Sequence, residues 1–195
     1  KTNLSFTASG DVNGYTVSYM QASKDQFAGM SSARLSVDMG DMGTLALDQG
    51  SGSGLATIDD KTPTAAEEIW DGLDGVTTGG LVGAAGNTGV INYVNTFEGV
   101  TVNAAYRKGS GAANSDGSSS GAGQGAYDVA LTTTGEMLGV DGLSVGIGYG
   151  EAANGEQSTT ACTRDDDYHY TGFANYSAGP VTFGYQMSHI DNGLC

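Results

Sequence analysis

Apolar and polar residues alternate one by one along most of this chain, in short runs joined pairwise by brief turns. In residues 2–9, Leu4, Phe6 and Ala8 alternate with Ser5, Thr7 and Ser9, and in residues 15–21, Tyr15, Val17 and Tyr19 alternate with Thr16 and Ser18. A period of two puts one apolar and one polar face on a β-strand. The second hairpin, 34–40 with 44–48 around Asp41-Met42-Gly43, sets Leu35, Val37, Met39, Leu45 and Leu47 against Arg34, Ser36, Asp38, Thr44 and Asp48. The third pairs 90–97 with 100–108 around Glu98-Gly99. Its second strand opposes Val100, Val102, Ala104 and Tyr106 to Thr101, Asn103, Ala105 and Arg107, whereas Ile91, Tyr93 and Val94 leave the parity of the first blurred. The fourth joins 127–133 to 143–149 through 134–142, the longest of the turns, with Val129, Leu131, Val145 and Ile147 on one face and Ser144, Gly146 and Gly148 on the other. The fifth joins 168–176 to 181–187 through 177–180, where Pro180 can open a strand because it needs no ladder donor there.

Every shorter turn falls at one end of this meander. The longer connections, 23–33, 49–88, 109–126, 150–167 and the segment from 188, fall at the other. Short periplasmic turns and long external loops give such a split, so the expected fold is all-β: a transmembrane antiparallel up-and-down β-barrel of about ten visible strands, apolar side to lipid and polar side to water. Tyr15, Tyr106, Tyr127, Tyr149 and Tyr168 stand near strand ends, where an interfacial girdle would place them, although tyrosine is also simply a good strand residue. With 33 Gly and few aliphatics the chain is poorly supplied for a large three-dimensional core, and a barrel wall needs little. No run reaches the length of a membrane-spanning helix. No export signal is recognisable, which fits a mature or truncated chain of the bacterial outer membrane.

The net charge of -15 argues against a nucleic acid or an anionic membrane surface as partner. The acids gather in the long connections, where charge runs are mostly solvated faces. Asp165, Asp166 and Asp167 could instead hold a loop-bound Ca2+ or Mg2+, since hard oxygen ligands suit those ions; spacing does not separate the two readings, and no other cofactor is expected. Cys162 and Cys195 lie in successive long loops on the same side, facing an oxidising exterior, and a disulfide between them is expected. Two free thiols, or a partner for Cys195 elsewhere, are the alternatives.

The connection 49–88 has structure of its own. Thr62-Pro63-Thr64 reads as a helix start, with Thr64 and Glu67 spaced as a capping box, and residues 65–70 continue as a short helix that Gly72 or Gly75 would end. Loops this long in a compact domain are usually functional or disordered, and the helix, the chain's single Trp70 and the clustered acids favour function. The block from Arg34 to Asp48, containing Gly40-Asp41-Met42-Gly43-Thr44-Leu45-Ala46-Leu47 and leading into this acidic loop, resembles the Gram-negative general porins. One departure is Asp48-Gln49, where many relatives carry Gly-Arg or Gly-Asp, so the charge at the loop entry does not carry over.

That resemblance implies a sixteen-stranded barrel whose third external loop folds inward and narrows the pore. Since the long loop follows the fourth visible strand rather than the fifth, the chain corresponds to strands two to eleven, as a barrel fragment spanning 1–195. It implies a diffusion pore for small hydrophilic solutes and ions, set in a lipid bilayer with lipopolysaccharide, with three barrels packed as a homotrimer. A basic wall facing an acidic loop would create a transverse field and favour cations. By parity Arg34, Lys1 and Arg107 point inward as the basic wall; the acidic side is expected among Asp59, Asp60, Glu67, Glu68, Asp71 and Asp74. For the basic residues the alternative is a wall residue that neutralises a neighbouring strand's acid, such as Arg34 with Asp48 diagonally across its hairpin.

Two other classes stay open. A ten-stranded outer-membrane barrel enzyme would use His169 or His189 near the rim, but no G-x-S-x-G or H-E-x-x-H pattern accompanies them, and the chain is not expected to be an enzyme. A secreted acidic β-rich adhesin or surface-layer protein is suggested by the Gly/Ser/Ala-rich stretch 109–125, yet such proteins usually show repeats of fixed period and none is visible.

Overall fold

The computed structural model describes residues 3–50, 52–58, 61–63, 83–86, 89–109, 125–153 and 166–191. Among them ten strands form one sheet: β1 (Ser5–Val12), β2 (Tyr15–Ser23), β3 (Met30–Asp38), β4 (Thr44–Gln49), β5 (Val90–Phe97), β6 (Val100–Arg107), β7 (Ala126–Thr134), β8 (Leu143–Ala152), β9 (Asp167–Ala178) and β10 (Val181–Asp191). Each pairs antiparallel with the next in chain order, so the sheet is an up-and-down meander with β1 and β10 at its two edges. It is not closed, since β1 and β10 do not pair with each other. No helix among the described residues is long and apolar enough to cross a membrane, which leaves crossing by strands untouched.

Register keeps each face consistent across the sheet. One lumenal row runs Thr7, Met20, Arg34, Asp48, Val90, Arg107 and Ala126 through successive Cα partners. The opposite face carries Phe6, Leu35, Leu47, Ile91, Ile147, Phe183 and Tyr185, and it is bare: Ile147 is 63% and Tyr185 67% exposed. A continuous apolar surface of this extent is not left to water by a soluble protein. It suits a barrel wall in lipid. Near the long-loop end this face carries a chain of rings, with Tyr127 and Tyr149 centroids 6.2 Å apart, Tyr149 and Tyr170 5.4 Å, and Tyr170 and His189 6.4 Å. Glu151 accepts hydrogen bonds from the hydroxyls of Tyr127 (2.8 Å) and Tyr149 (3.1 Å).

The blurred parity of 90–97 has a physical cause. Ile91, Tyr93 and Phe97 face outward as the pattern requires, but Val94 and Val90 face inward, and Val90 is completely buried, packed with Ala85 and Ala105. An apolar residue is tolerated there because loop, not water, covers it.

The turns differ in detail from the sequence expectation. The first hairpin turns on Asn13-Gly14 alone, with φ of 55° and 84°, so its ladder runs to Val12 and not only to residue 9. Glu98-Gly99 turns likewise, with φ of 48° and 86°. Positive φ at both central positions is the geometry whose twist matches paired strands. The connection expected at 23–33 is shorter: β3 begins at Met30, Ser32 pairs with Ala22, and residues 24–29 lie between the strands, with a 3-10 turn at Asp25–Phe27. Residues 134–142 hold a one-turn helix, α1 (Gly135–Leu138), and the last hairpin turns on Gly179-Pro180.

This assignment of faces is testable by charge. Replacing Ile147 by Arg on the lipid side costs about 2–4 kcal/mol near the bilayer midplane. Ser36→Arg on the lumenal side of β3 changes stability by less than about 1 kcal/mol. Urea unfolding of the folded protein in lipid vesicles measures both, and equal effects would exclude the assignment.

Candidate functional site

The lumenal face of the sheet is shaped to receive a loop. Inward positions of β7 and β8 that a water-lined wall would fill with hydroxyls or charges hold instead Ala126, Ala130, Gly146, Gly148 and Gly150. A Cβ on Gly148 would overlap Leu55 Cδ1, and one on Gly150 would press on Ala84 and Asp128. These glycines form the floor on which the connection between β4 and β5 lies.

The outgoing limb of that connection crosses the floor through a 3-10 turn at Gly54–Ile58. Leu55 and Ile58, at 0% and 1% exposure, form a small core with Ala130 and Phe173. Burial of such side chains stabilises by about 1.5–3 kcal/mol each. Polar wall residues bond the limb's backbone in order along the chain. Arg34 Nη1 donates to the Gly52 carbonyl (3.3 Å), Gly54 N–H donates to Asn103 Oδ1 (2.7 Å), and Leu55 N–H donates to Asp128 Oδ1 (2.8 Å). Farther across, Gln186 Nε2 donates to the Ile58 carbonyl (3.0 Å) and Gln186 Oε1 accepts from Lys61 N–H (2.7 Å), while Asn175 Nδ2 donates to the Lys61 carbonyl. The limb thus spans the lumenal face from β3 to β10.

The returning limb is held at the same place. Ala85 N–H donates to Asp128 Oδ2 (2.9 Å), and Arg107 Nε donates to the Ala85 carbonyl (2.8 Å). Asp128, 1% exposed, therefore clasps both limbs with its two carboxylate oxygens. A carboxylate is costly to bury, and two N–H donors offset that cost.

Arg34 sits in a tight cluster. It faces Asp48 directly across the β3–β4 ladder, not diagonally, with Nη1 3.5 Å from Oδ1, and its Nη2 donates to Asn92 Oδ1 (2.8 Å). Ser53 Oγ donates to Asp48 Oδ2 (2.7 Å), and Asn92 in turn donates to Asn103. Arg34 and Arg107 thus both lie on the lumenal side against loop backbone. Lys1, Asp59, Asp60, Glu67, Glu68, Asp71, Asp74, Asp165, Cys162, Cys195 and the helix expected over 65–70 lie outside the described residues. Asp166 and Asp167 stand at the start of β9, and among the described residues no three His, Cys, Asp or Glu side chains gather as a cation site.

Sequence reasoning missed Asp128, Asn103, Asn175 and Gln186 as loop anchors, and Asn92 as the wall residue that links Arg34 to Asn103. The readable signal was the small-residue inward row around Asp128, since alanine and glycine where a wet wall would carry hydroxyls point to something packed on them. His169 and His189 do not form a pair: register puts His169 on the lumenal face, across from Ile190, and His189 outward against Tyr170.

A barrel wall with a lipid-facing apolar side and a loop laid across its water-facing side defines the class of outer-membrane pore proteins. A family model described as Gram-negative porin matches residues 2–194, and the chain belongs to that family. None of the curated proteins matches it. Membership places the protein among outer-membrane porins.

Asp128→Ala removes the shared acceptor and leaves two loop N–H groups unpaired, at about 1–3 kcal/mol each. Single-channel recordings in planar bilayers are expected to show larger conductance and greater open-channel noise, with the folded band in unheated gels retained. Gly148→Leu, which evicts Leu55, is expected to act in the same direction. Unchanged conductance and noise in both variants would rule out the clasp.

Proposed function

We propose that the protein is a diffusion porin for small hydrophilic solutes and ions, whose pore is narrowed by the connection 49–88 folded onto the wall, and which prefers cations. The observation that carries this reading is the Asp128 clasp, because a loop tied by both limbs to the lumenal face must reduce the open section there. The acids Asp59, Asp60, Glu67, Glu68, Asp71 and Asp74 belong to this loop and would supply the negative side of a transverse field. Arg34, Arg107 and Lys1 would supply the positive side, with Arg34 and Arg107 also holding the loop in place. Net charge of -15 supports the cation preference.

The ten strands would be the second to eleventh of a sixteen-stranded barrel, and three such barrels would associate as a homotrimer. A disulfide between Cys162 and Cys195 would tie two external loops; Ca2+ or Mg2+ at Asp165, Asp166 and Asp167 would be a feature of the same rim.

Reversal potentials under a salt gradient test the field. Arg34→Gln is expected to raise the cation-over-anion permeability ratio and Glu67→Gln to lower it, each by up to about fivefold, the weight of roughly 1 kcal/mol that one charge carries at close range in water. Ratios that stay fixed in both variants would refute a charged constriction at these residues.

A further inference from the structure

Between the loop and the short-turn end of the wall lies a cavity of about 310 Å³. Its walls are Thr57 and Ile58 from the loop's 3-10 turn, Thr101 and Asn103 on β6, Ala130 and Thr132 on β7, Ser144 on β8, and Phe173 and Asn175 on β9, with Lys61 closing it. That size is at the lower end for small-molecule sites, about 300–1,000 Å³. Its chemistry differs from the rest of the molecule. In a chain with 22 acidic and 7 basic residues, the described residues lining this cavity include one cation, Lys61, and no carboxylate.

Lys61 is fixed in place. Its N–H is held by Gln186 and its carbonyl by Asn175, so the peptide carrying the ammonium is anchored on both sides to the wall. Below it Thr101 pairs with Thr132 and Ser144 with Asn175 across the ladder, which sets three hydroxyls and an amide in adjacent rows. Ile58 and Phe173 form the apolar back.

We propose that this cavity is a binding subsite for a small hydroxylated monocarboxylate, which docks its carboxylate on Lys61 and its hydroxyls on Thr101, Thr132 and Ser144. The ammonium donates charge-assisted hydrogen bonds to the carboxylate, and the hydroxyls serve as donors or acceptors for the polyol part. Because the cavity lies on the short-turn side of the loop, it retains a solute that has already passed the narrowing. Its cation, Lys61, belongs to the acidic loop itself, next in the chain to Asp59 and Asp60, and the site would slow and select hydroxy acids within a pore that otherwise favours cations. This rests on the porin reading above.

The test is block of single-channel potassium current by gluconate added from either side of a planar bilayer, with glucose at equal concentration as the neutral comparison. Wild-type channels are expected to show saturable, concentration-dependent reduction by gluconate and little by glucose. Lys61→Ala is expected to raise the half-blocking concentration about tenfold, the weight of one charge-assisted contact, with Lys61→Arg restoring it. Thr132→Val, which keeps shape and removes a hydroxyl, is expected to raise it about threefold. Channels that conduct but bind gluconate equally in wild type and Lys61→Ala would overturn the subsite while leaving the porin reading intact. Absence of conductance from the folded wild type would overturn both.

Discussion

Asp128 holds its two carboxylate oxygens between backbone N–H groups from the outgoing and returning limbs of one long loop, on a face that would otherwise be lined by water. Much else follows from that contact. The wall is one sheet thick, its outer side must stay apolar for lipid, and it can bury side chains only where something is laid on its inner side. The loop supplies that layer: Leu55 and Ile58 on Ala130 and Phe173, and Ala85 on Val90 and Ala105. The buried part of the molecule is therefore a seam between wall and loop.

This inverts the usual division of roles. Lumenal polar residues do not simply face the pore. Arg34, Asn103, Asp128, Arg107, Gln186 and Asn175 direct hydrogen bonds to loop backbone. Side chains that carry lumenal charge thus also position the loop, so a substitution made to change charge also removes a hydrogen bond to loop backbone. Arg34 shows the coupling most clearly, being at once the partner of buried Asp48, a bond to Gly52 and an inward-facing cation.

Strand order, face assignment and the Glu98-Gly99 turn were readable because a period of two and a Gly at positive φ are local constraints. Residues 4–8 and 100–106 display the alternation without any partner in view. The failures were also local in origin. Ser31 and Ser32 read as loop because two successive serines break the alternation, yet both belong to β3, with Ser32 paired to Ala22 and Ser31 at a bulge. Asp128 read as one more polar-face residue, since nothing in its neighbours along the chain reveals two donors that arrive from loop limbs 73 and 43 residues away.

By itself the sequence determined a lipid-facing sheet of antiparallel hairpins with long connections at one end, because side-chain parity and turn stereochemistry act over a few residues. Only the tertiary structure decided where the described limbs of the long loop lie, which limb meets which strand, and that Arg34 and Arg107 bond to them. Those contacts join groups far apart in the chain, and their energies depend on geometry that exists only once β3 to β10 stand side by side with small residues left open for Leu55.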